Sequence, residues 1–589
     1  MSRPLFSCVM PVKGPRPYMA AALESLRLQG MGDDLEVIVQ DADVEPDAGQ
    51  SDAFNKGFAK AHGEWLFWLN ADDVLLPGAL AAVREFIASG AAGAHPEWIA
   101  GNMKRIDDEG RVLSCLRGNG WHDWLYCHAV PFVNGPSAFF RRELFERIGG
   151  FDTSLAVCMD WDLWIRFKKA GARFRRLDRY VWGLRQWSGS KTQRQKSDAE
   201  ESVHVAEVRR MLAKNGFRTT RWGTILIRLW RCLNGNYLLG WRDSCRAKRD
   251  RERPSVILVK HRAPYRDPVV AAVERRGGVR SFALFDNDRR HAWAGFARDG
   301  MALAGRWLAL RLLREFVFSW KYAIVVWPAY HPWWLTLPIL LSALTGRRYA
   351  VTADTKEENG GWLSCLVKRF IFRRAEFIWT PGGAARRYME TCMGVRAGNI
   401  AEGLFLVDSG EVARDCRSVR RPIRRFLMVG NDIPERRVDV LVEGFRRGHA
   451  AGQTLMVCGQ GCGKYDGDGV EGCEGVPWSE LVRLYAEADI YVHNGMEPYS
   501  TAVQIAAMRG LPIICSGSVG IVADFRGSEK PLITVDEWSS PEAWAAAFVR
   551  AQAMGEEALR EMGARAQREA YEMYDVERMA ADVWMRLRG

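Results

Sequence analysis

Gly49-Gln50-Ser51-Asp52-Ala53-Phe54-Asn55-Lys56-Gly57, followed by His62-Gly63-Glu64-Trp65-Leu66-Phe67-Trp68-Leu69-Asn70-Ala71-Asp72-Asp73, is the stretch on which the fold turns. Ser51–Ala61 has helical character. Trp65–Leu69 is a short apolar run that reads as a buried strand and ends on two adjacent carboxylates. Upstream, Phe6–Pro11 is strand-like, Pro17–Leu28 helical, and Leu35–Gln40 a strand running into acidic residues that begin with Asp41. This β–α alternation predicts a mostly parallel sheet with helices on both faces. Ligands of such sheets bind at the carboxyl ends of the strands, where Asp41 and Asp72-Asp73 fall. Two carboxylates ending an apolar strand are costly unless something positive sits there. A hard divalent cation bridging diphosphate oxygens would meet that need.

The whole chain has 589 residues, enough for about three or four compact units. Its 48% hydrophobic and 26% charged residues are ordinary for globular protein and argue against disorder. The net charge of +12 suits acidic partners, a membrane face or a solvated arginine-rich surface. No zinc-finger spacing, RNA-recognition signature or long basic run points to nucleic acid. Thirteen scattered cysteines fit reduced cytosolic thiols, and Cys458, Cys462 and Cys473 match no zinc pattern. The N-terminus lacks a signal-peptide pattern. Tyr322–Gly346 carries no Lys, Arg, Asp or Glu, but its prolines and change of texture predict strand, loop and short apolar helix rather than a membrane span. Arg218–Arg253 mixes Trp, Leu and Arg and reads as a basic amphipathic linker, to lie on a membrane surface or pack against a neighbouring module.

Downstream of the acidic pair come Asn134-Gly135-Pro136-Ser137, Gly149-Gly150-Phe151-Asp152 and Met159-Asp160-Trp161-Asp162-Leu163-Trp164-Ile165-Arg166. The last reads as a helix start with Trp161 and Trp164 facing inward. Together with the opening stretch these segments resemble glycosyltransferase family 2, whose catalytic domain has the GT-A fold, over roughly Pro4–Thr192. The resemblance implies that Asp41 touches the nucleotide and that Asp52 and Lys56 line the donor pocket. Asp72 and Asp73 stand at the metal motif for Mn²⁺ or Mg²⁺, with Asp72 the favoured ligand. Asn70 occupies that motif's frequent first Asp. Inverting transfer needs a carboxylate beside the acceptor hydroxyl, and the resemblance gives that role to Asp160. Asp162 is the reserve base or a helix-cap partner, and Asn134, Gly135 and Asp162 are expected on the acceptor side. Trp187 stands where the family often has a metal-supporting His, leaving Arg185 and Lys191 to neutralise diphosphate.

From Pro254 onward the chain is similar to GT-B glycosyltransferases of family 4, most clearly over Phe426–Asp524. Phe426–Leu441, Leu481–Val492 and Glu497–Ile514 carry the likeness. It implies a retaining, metal-free site with Gly430 and Arg436 at the donor phosphates and Glu497 as a donor-binding and catalytic carboxylate, and an active variant pocket would use Glu497, Arg436 and Asp354. Asn431, Ser500 and Ile505 depart from the family, so an active variant pocket and a decayed glycan- or partner-binding module both stay open. Gly459–Lys464 lacks P-loop spacing, and His331 and His493 are expected to be packing residues. The expected fold class is α/β, a GT-A Rossmann-like domain followed by a GT-B pair. Its boundaries are 1–215 for GT-A, 216–253 for the linker, 254–420 for the acceptor half and 421–589 for the donor half with its closing helices. The function implied is sugar transfer from nucleotide-diphospho-sugar donors to a lipid-linked or polymeric cell-surface glycan of O-antigen or capsule type. Two active sites are expected, or else one site with a degenerate second half. The expected location is the cytoplasm or the cytoplasmic face of the inner membrane.

Overall fold

The computed structural model of the chain describes residues 3–14, 16–89, 95–120, 133, 135–190, 198–217, 220–260, 263, 265–284, 311–328, 335–355, 361–407, 423–526 and 529–588, with side chains from 205 onward in the helix that starts at 198. Asn134, Lys191, His331 and the expected break at 414–422 lie outside these residues. The chain divides into two compact units, Met1–Arg253 and Pro254–Leu587.

The strands of the first unit are β1 (Phe6–Val12), β2 (Leu35–Asp41), β3 (Trp65–Trp68), β4 (Val74–Leu75), β5 (Trp98–Ile106), β6 (Val112–Leu116), β7 (Ala138–Arg141) and β8 (Phe174–Arg185). They form one sheet in the order β2-β1-β3-β7-β5-β8-β4, with β6 beside β5. β1 pairs in parallel with β2 and β3, and β5 with β8. β7, β4 and β6 pair antiparallel. The sheet is thus mixed rather than mostly parallel. β6 returns from β5 through a tight turn in which Gly110 takes a positive φ of 79°, so no helical crossover is needed.

The helices of this unit are α1 (Met19–Arg27), α2 (Gln50–Ala59), α3 (Ala79–Ala88), α4 (Arg142–Arg147), α5 (Met159–Lys169), α6 (Asp198–Lys214), α7 (Arg221–Leu233) and α8 (Asn236–Arg251). α5 is anchored as its sequence period predicts. Trp161 and Trp164 are buried, and the Trp164 ring stacks between Trp98 at 5.0 Å and Trp68 at 5.9 Å. Each such contact adds about 0.5–1.5 kcal/mol beyond burial. The expected linker folds as α7 and α8. Ser244 on α8 accepts the Cys115 N–H of β6 at 2.8 Å, and Tyr180 of β8 donates to Asp243 at 2.8 Å.

The second unit holds two six-stranded, wholly parallel sheets, as expected of a GT-B pair. One has the order β10-β9-β11-β12-β13-β14, with β9 (Ser255–Val259), β10 (Val279–Ala283), β11 (Val325–Trp327), β12 (Tyr349–Thr352), β13 (Ile378–Trp379) and β14 (Ile400–Ala401). The other runs β17-β16-β15-β18-β19-β20, with β15 (Arg425–Val429), β16 (Thr454–Cys458), β17 (Val470–Cys473), β18 (Ile490–His493), β19 (Ile513–Ser516) and β20 (Ile533–Val535). Their strands are near-continuous apolar runs, as sheets covered on both faces require. In the charge-free window, β11 and the helix Thr336–Leu344 appear, and no helix among the described residues is long and apolar enough to cross a membrane. The final helix, Val576–Arg588, returns to the first of these sheets, where Trp584 donates to the Gly277 carbonyl at 2.9 Å.

Candidate active site

The end of β3 is built as a clamp. The Asp73 N–H closes a turn on the Asn70 carbonyl at 3.1 Å, and Asn70 Nδ2 donates to Asp73 Oδ2 at 2.9 Å. Gln50 Nε2, at the start of α2, donates to Asn70 Oδ1 at 3.3 Å. β4 pairs with β8, which brings the Arg185 N–H to Asp73 Oδ1 at 2.9 Å. Both Asp73 oxygens are therefore engaged, and the residue is 1% exposed. Burial, reinforced by the Asp72 charge, pushes its carboxyl up to about 7 against the Arg185 and Asn70 donors. Asp73 forms the floor of the site rather than a second free metal-facing carboxylate, and Asn70 is spent on holding it. Asp72 is the acidic group turned to the cleft, where its Oδ2 accepts the Trp187 indole N–H at 2.9 Å.

Arg185 is a staple. Its Nε donates to the Asp72 carbonyl at 3.0 Å, and its Nη1 to the Asp107 and Asp108 carbonyls at 2.8 and 2.7 Å. Its guanidinium also lies 4.5 Å from the Tyr18 ring centre. Arg185, which the sequence suggested for diphosphate, does line the cleft, with its guanidinium engaged by backbone carbonyls and an aromatic face.

A cleft of about 740 Å³ opens at the carboxyl ends of β1 and β3, with Lys13, Arg16, Asp72, Gly135, Asp160 and Trp187 in its wall. Asp160 enters it from the first turn of α5. Gly135 has to be glycine for Asp160 to be reached. A Cβ there would lie 2.5 Å from the Trp68 ring and 3.3 Å from Asp160 Oδ2. The turn before α5 is held by Glu207 of α6. Its carboxylate accepts the N–H groups of Ala156, Val157 and Cys158 at 3.1, 2.7 and 2.9 Å.

Other expected site residues stand elsewhere. Asp162 is fully buried on the opposite side of α5, accepting from Arg166 at 2.6 Å and Asn215 at 2.9 Å, so it neither reaches the acceptor side nor serves as a reserve base. Asp52 accepts the Ala48 N–H at 2.9 Å and pairs with Lys56 at 3.0 Å, and Lys56 also donates to the Pro46 carbonyl at 2.7 Å. These two residues pin the 46–48 loop instead of lining the cleft. Asp41 pairs with Arg16 at 2.8 Å, and Arg16, not Asp41, lines the cleft. Glu207 lay beyond the motif and carried no sequence signal. Lys13 and Arg16 could have been found as the basic residues just past the end of β1.

Residues 44–149 match the family model described as Glycosyl transferase family 2. A PGL/p-HBAD biosynthesis glycosyltransferase of Mycobacterium tuberculosis is 27% identical over 191 residues, covering 28% of this chain and 70% of that protein. The chain is a glycosyltransferase with a family 2 domain in its first unit. An uncharacterized glycosyltransferase of Nostoc sp. is 34% identical over 129 residues, covering 20% of this glycosyltransferase and 36% of the relative. Among solved structures, Anabaena HepE with UDP and glucose resembles it at a TM-score of 0.43 and 11% identity, over 56% of this chain and 98% of that one. A likeness that weak carries no functional weight.

Among the described residues no group of three or more His, Cys, Asp or Glu side chains could hold a metal ion alone. Asp72 would be the carboxylate offered to Mg²⁺ or Mn²⁺, both of which take oxygen ligands.

The second unit has its own cavity of about 730 Å³, lined by Asp354, Gly430, Arg436, Glu497, Ser500 and Ile505 among others. Glu497 Oε2 pairs with Arg436 at 3.0 Å, and Oε1 with His493 at 2.5 Å. His493 in turn meets the Tyr491 hydroxyl at 3.0 Å and Ser500 at 3.2 Å, so it is a hydrogen-bonded buried residue and not mere packing. Burial would raise the Glu497 carboxyl, but His493 and Arg436 outweigh it and hold it at about 2. A Cβ on Gly430 would lie 2.9 Å from Arg436 Nη1, so this glycine makes room for the guanidinium. Ile505 is 3% exposed and gives this wall no hydrogen-bonding group.

Proposed function

We propose that the first unit transfers a sugar, with inversion, from a nucleotide-diphospho-sugar to a hydroxyl of a growing cell-surface glycan, lipid-linked or polymeric, of O-antigen or capsule type. The observation that carries this reading is the convergence of Asp72 and Asp160 on one cleft at the strand ends. Asp160 takes the proton of the acceptor hydroxyl as its oxygen attacks the anomeric carbon. The bond from that carbon to the diphosphate oxygen breaks, and the electron pair leaves with the nucleoside diphosphate. Asp72 would hold Mn²⁺ or Mg²⁺ there, and the ion would supply charge for the departing diphosphate. Lys13 and Arg16 face the same cleft and add positive charge beside it. Trp68 and Gly135 shape the wall against which the acceptor meets Asp160.

Titration calorimetry of the full chain with a panel of nucleotide sugars, with and without Mn²⁺, tests this. Metal-dependent binding of at least one donor, lost in Asp72→Ala, supports the reading. Donor binding indifferent to both the metal and Asp72 would refute it.

A second transfer site in the second unit is favoured by the Arg436–Glu497 pair facing its cavity. It would retain configuration and need no metal, and the two sites would add alternating sugars to one chain. Donor turnover that persists without metal and disappears in Glu497→Gln supports two sites. A metal-free preparation that turns over no donor would leave the second unit as a glycan-binding module.

A further inference from the structure

The helix pair that closes the first unit carries an apolar stripe that faces outward. On α7, Trp222, Leu226, Leu229 and Leu233 recur at helical spacing and are 73%, 39%, 53% and 76% exposed, with Ile225 beside them. The inward side of α7 is a separate set. Gly223 and Ile227 are buried, and Trp230 is half-buried against the core of the unit. α7 is therefore apolar on two faces, one of them already satisfied. α8 exposes Tyr237, Leu238 and Trp241 of its own, and the Tyr237 ring lies 4.6 Å from the Arg231 guanidinium of α7. Its other side is fixed to β6, where a Cβ on Gly240 would lie 3.0 Å from the Cys115 carbonyl.

The remaining arc of the pair is basic. Residues 216–253 hold ten Lys or Arg against three Asp or Glu, a surplus of seven out of the chain's +12. Arg221 and Arg228 sit next to the stripe on α7 and are exposed, as are Arg242, Lys248 and Arg249 on α8. An apolar stripe set with Trp and Tyr and edged by Arg is the chemistry of an interfacial helix. The indole and phenol rings sit at head-group level, and arginines meet lipid phosphates. At 13 residues α7 is about 20 Å long, too short for a bilayer core of about 30 Å, so it lies on the surface.

We propose that α7 and α8 form a docking surface for an anionic lipid bilayer, with Trp222, Leu226, Leu229 and Leu233 inserted and the arginines on the head groups. This assignment stands independently of the chemistry of the first cleft.

Co-sedimentation of the full chain with vesicles of phosphatidylglycerol and phosphatidylcholine, and with phosphatidylcholine alone, tests it. The expected result is binding to the anionic vesicles that weakens with salt. The triple variant Trp222→Glu, Leu226→Glu, Leu229→Glu should lose at least tenfold in apparent affinity, at unchanged near-ultraviolet circular dichroism. Hydrogen exchange of wild type, which needs no variant, should show 221–233 protected when anionic vesicles are added. Equal binding by the triple variant, or no vesicle-induced protection of that segment, would overturn the proposal. So would a wild-type dimer that the triple variant converts to monomer, since the stripe would then cover a second copy of the chain.

Discussion

Asp72→Ala and Asp73→Ala should fail in different ways, because the two carboxylates are neighbours in sequence but not in role. Asp72 faces the cleft, and its loss should cut metal-dependent transfer by roughly 100-fold or more with little change in melting temperature. Asp73 receives Asn70 and the Arg185 N–H, and its removal leaves buried donors unpaired at a cost of about 1–3 kcal/mol for each. Denaturant titration beside a transfer assay separates the two. Gly135→Ala should slow transfer because its Cβ collides with Trp68 and crowds Asp160. Turnover should fall by more than donor affinity, which single-turnover kinetics with measured donor Kd can read. At this scale position at a strand end marked the acidic pair, while the family resemblance, not residue type, singled out Asp160; Asp72 and Asp160 line one cleft. The resemblance already favoured Asp72 over Asp73, but the reason, the Arg185 N–H that β8 brings to Asp73, was not legible in the sequence. Nor could it show that Asp52 and Lys56 would turn away to hold a loop.

α5 is the element that aims Asp160, and its aim depends on α6. Three backbone N–H groups before α5 end on the single carboxylate of Glu207. In Glu207→Gln one acceptor oxygen is replaced by an NH₂ that faces those donors. The expected outcome is a loss of about 1–3 kcal/mol in denaturant stability. Transfer turnover should also drop while Mn²⁺-dependent donor binding is kept, a split that loss of fold alone would not give. The inward face of α5 was legible because Trp161 and Trp164 repeat at helical spacing. The Glu207 contact was not, since it joins residues about fifty positions apart through tertiary packing that no local period encodes. The antiparallel β4, β6 and β7 were missed for a related reason. Short strands carry too few residues to show a period, and their direction is set by the connections that reach them.

Across the whole molecule, the two parallel sheets of the second unit could be read from alternating apolar runs and helical stretches, as the strands Ser255–Val259, Tyr349–Thr352 and Thr454–Cys458 show, whereas the mixed first sheet could be read only in part. Contacts that join distant segments within a unit could not. Asp524 is one of these in the second unit. It accepts the Gly383 N–H at 3.0 Å at the start of the helix Gly383–Thr391 and the Tyr574 hydroxyl at 3.3 Å. Burial, with the Glu402 charge, raises its carboxyl to about 7. A carboxyl whose pKa is higher in the folded than in the unfolded chain stabilises the fold while protonated. That contribution is full below about pH 4 and is lost as pH rises through about 7. Denaturant stability should therefore fall between those limits, and Asp524→Asn, which cannot ionise, should flatten that slope. The most direct test of the central claim is sugar transfer to a glycan acceptor at saturating nucleotide sugar and Mn²⁺, comparing wild type with Asp160→Asn. If the first cleft is an inverting transferase site with Asp160 as its base, the variant should bind donor as wild type does and lose roughly 100- to 10,000-fold in metal-dependent turnover. An Asp160→Asn enzyme that transfers at the wild-type rate would contradict that assignment.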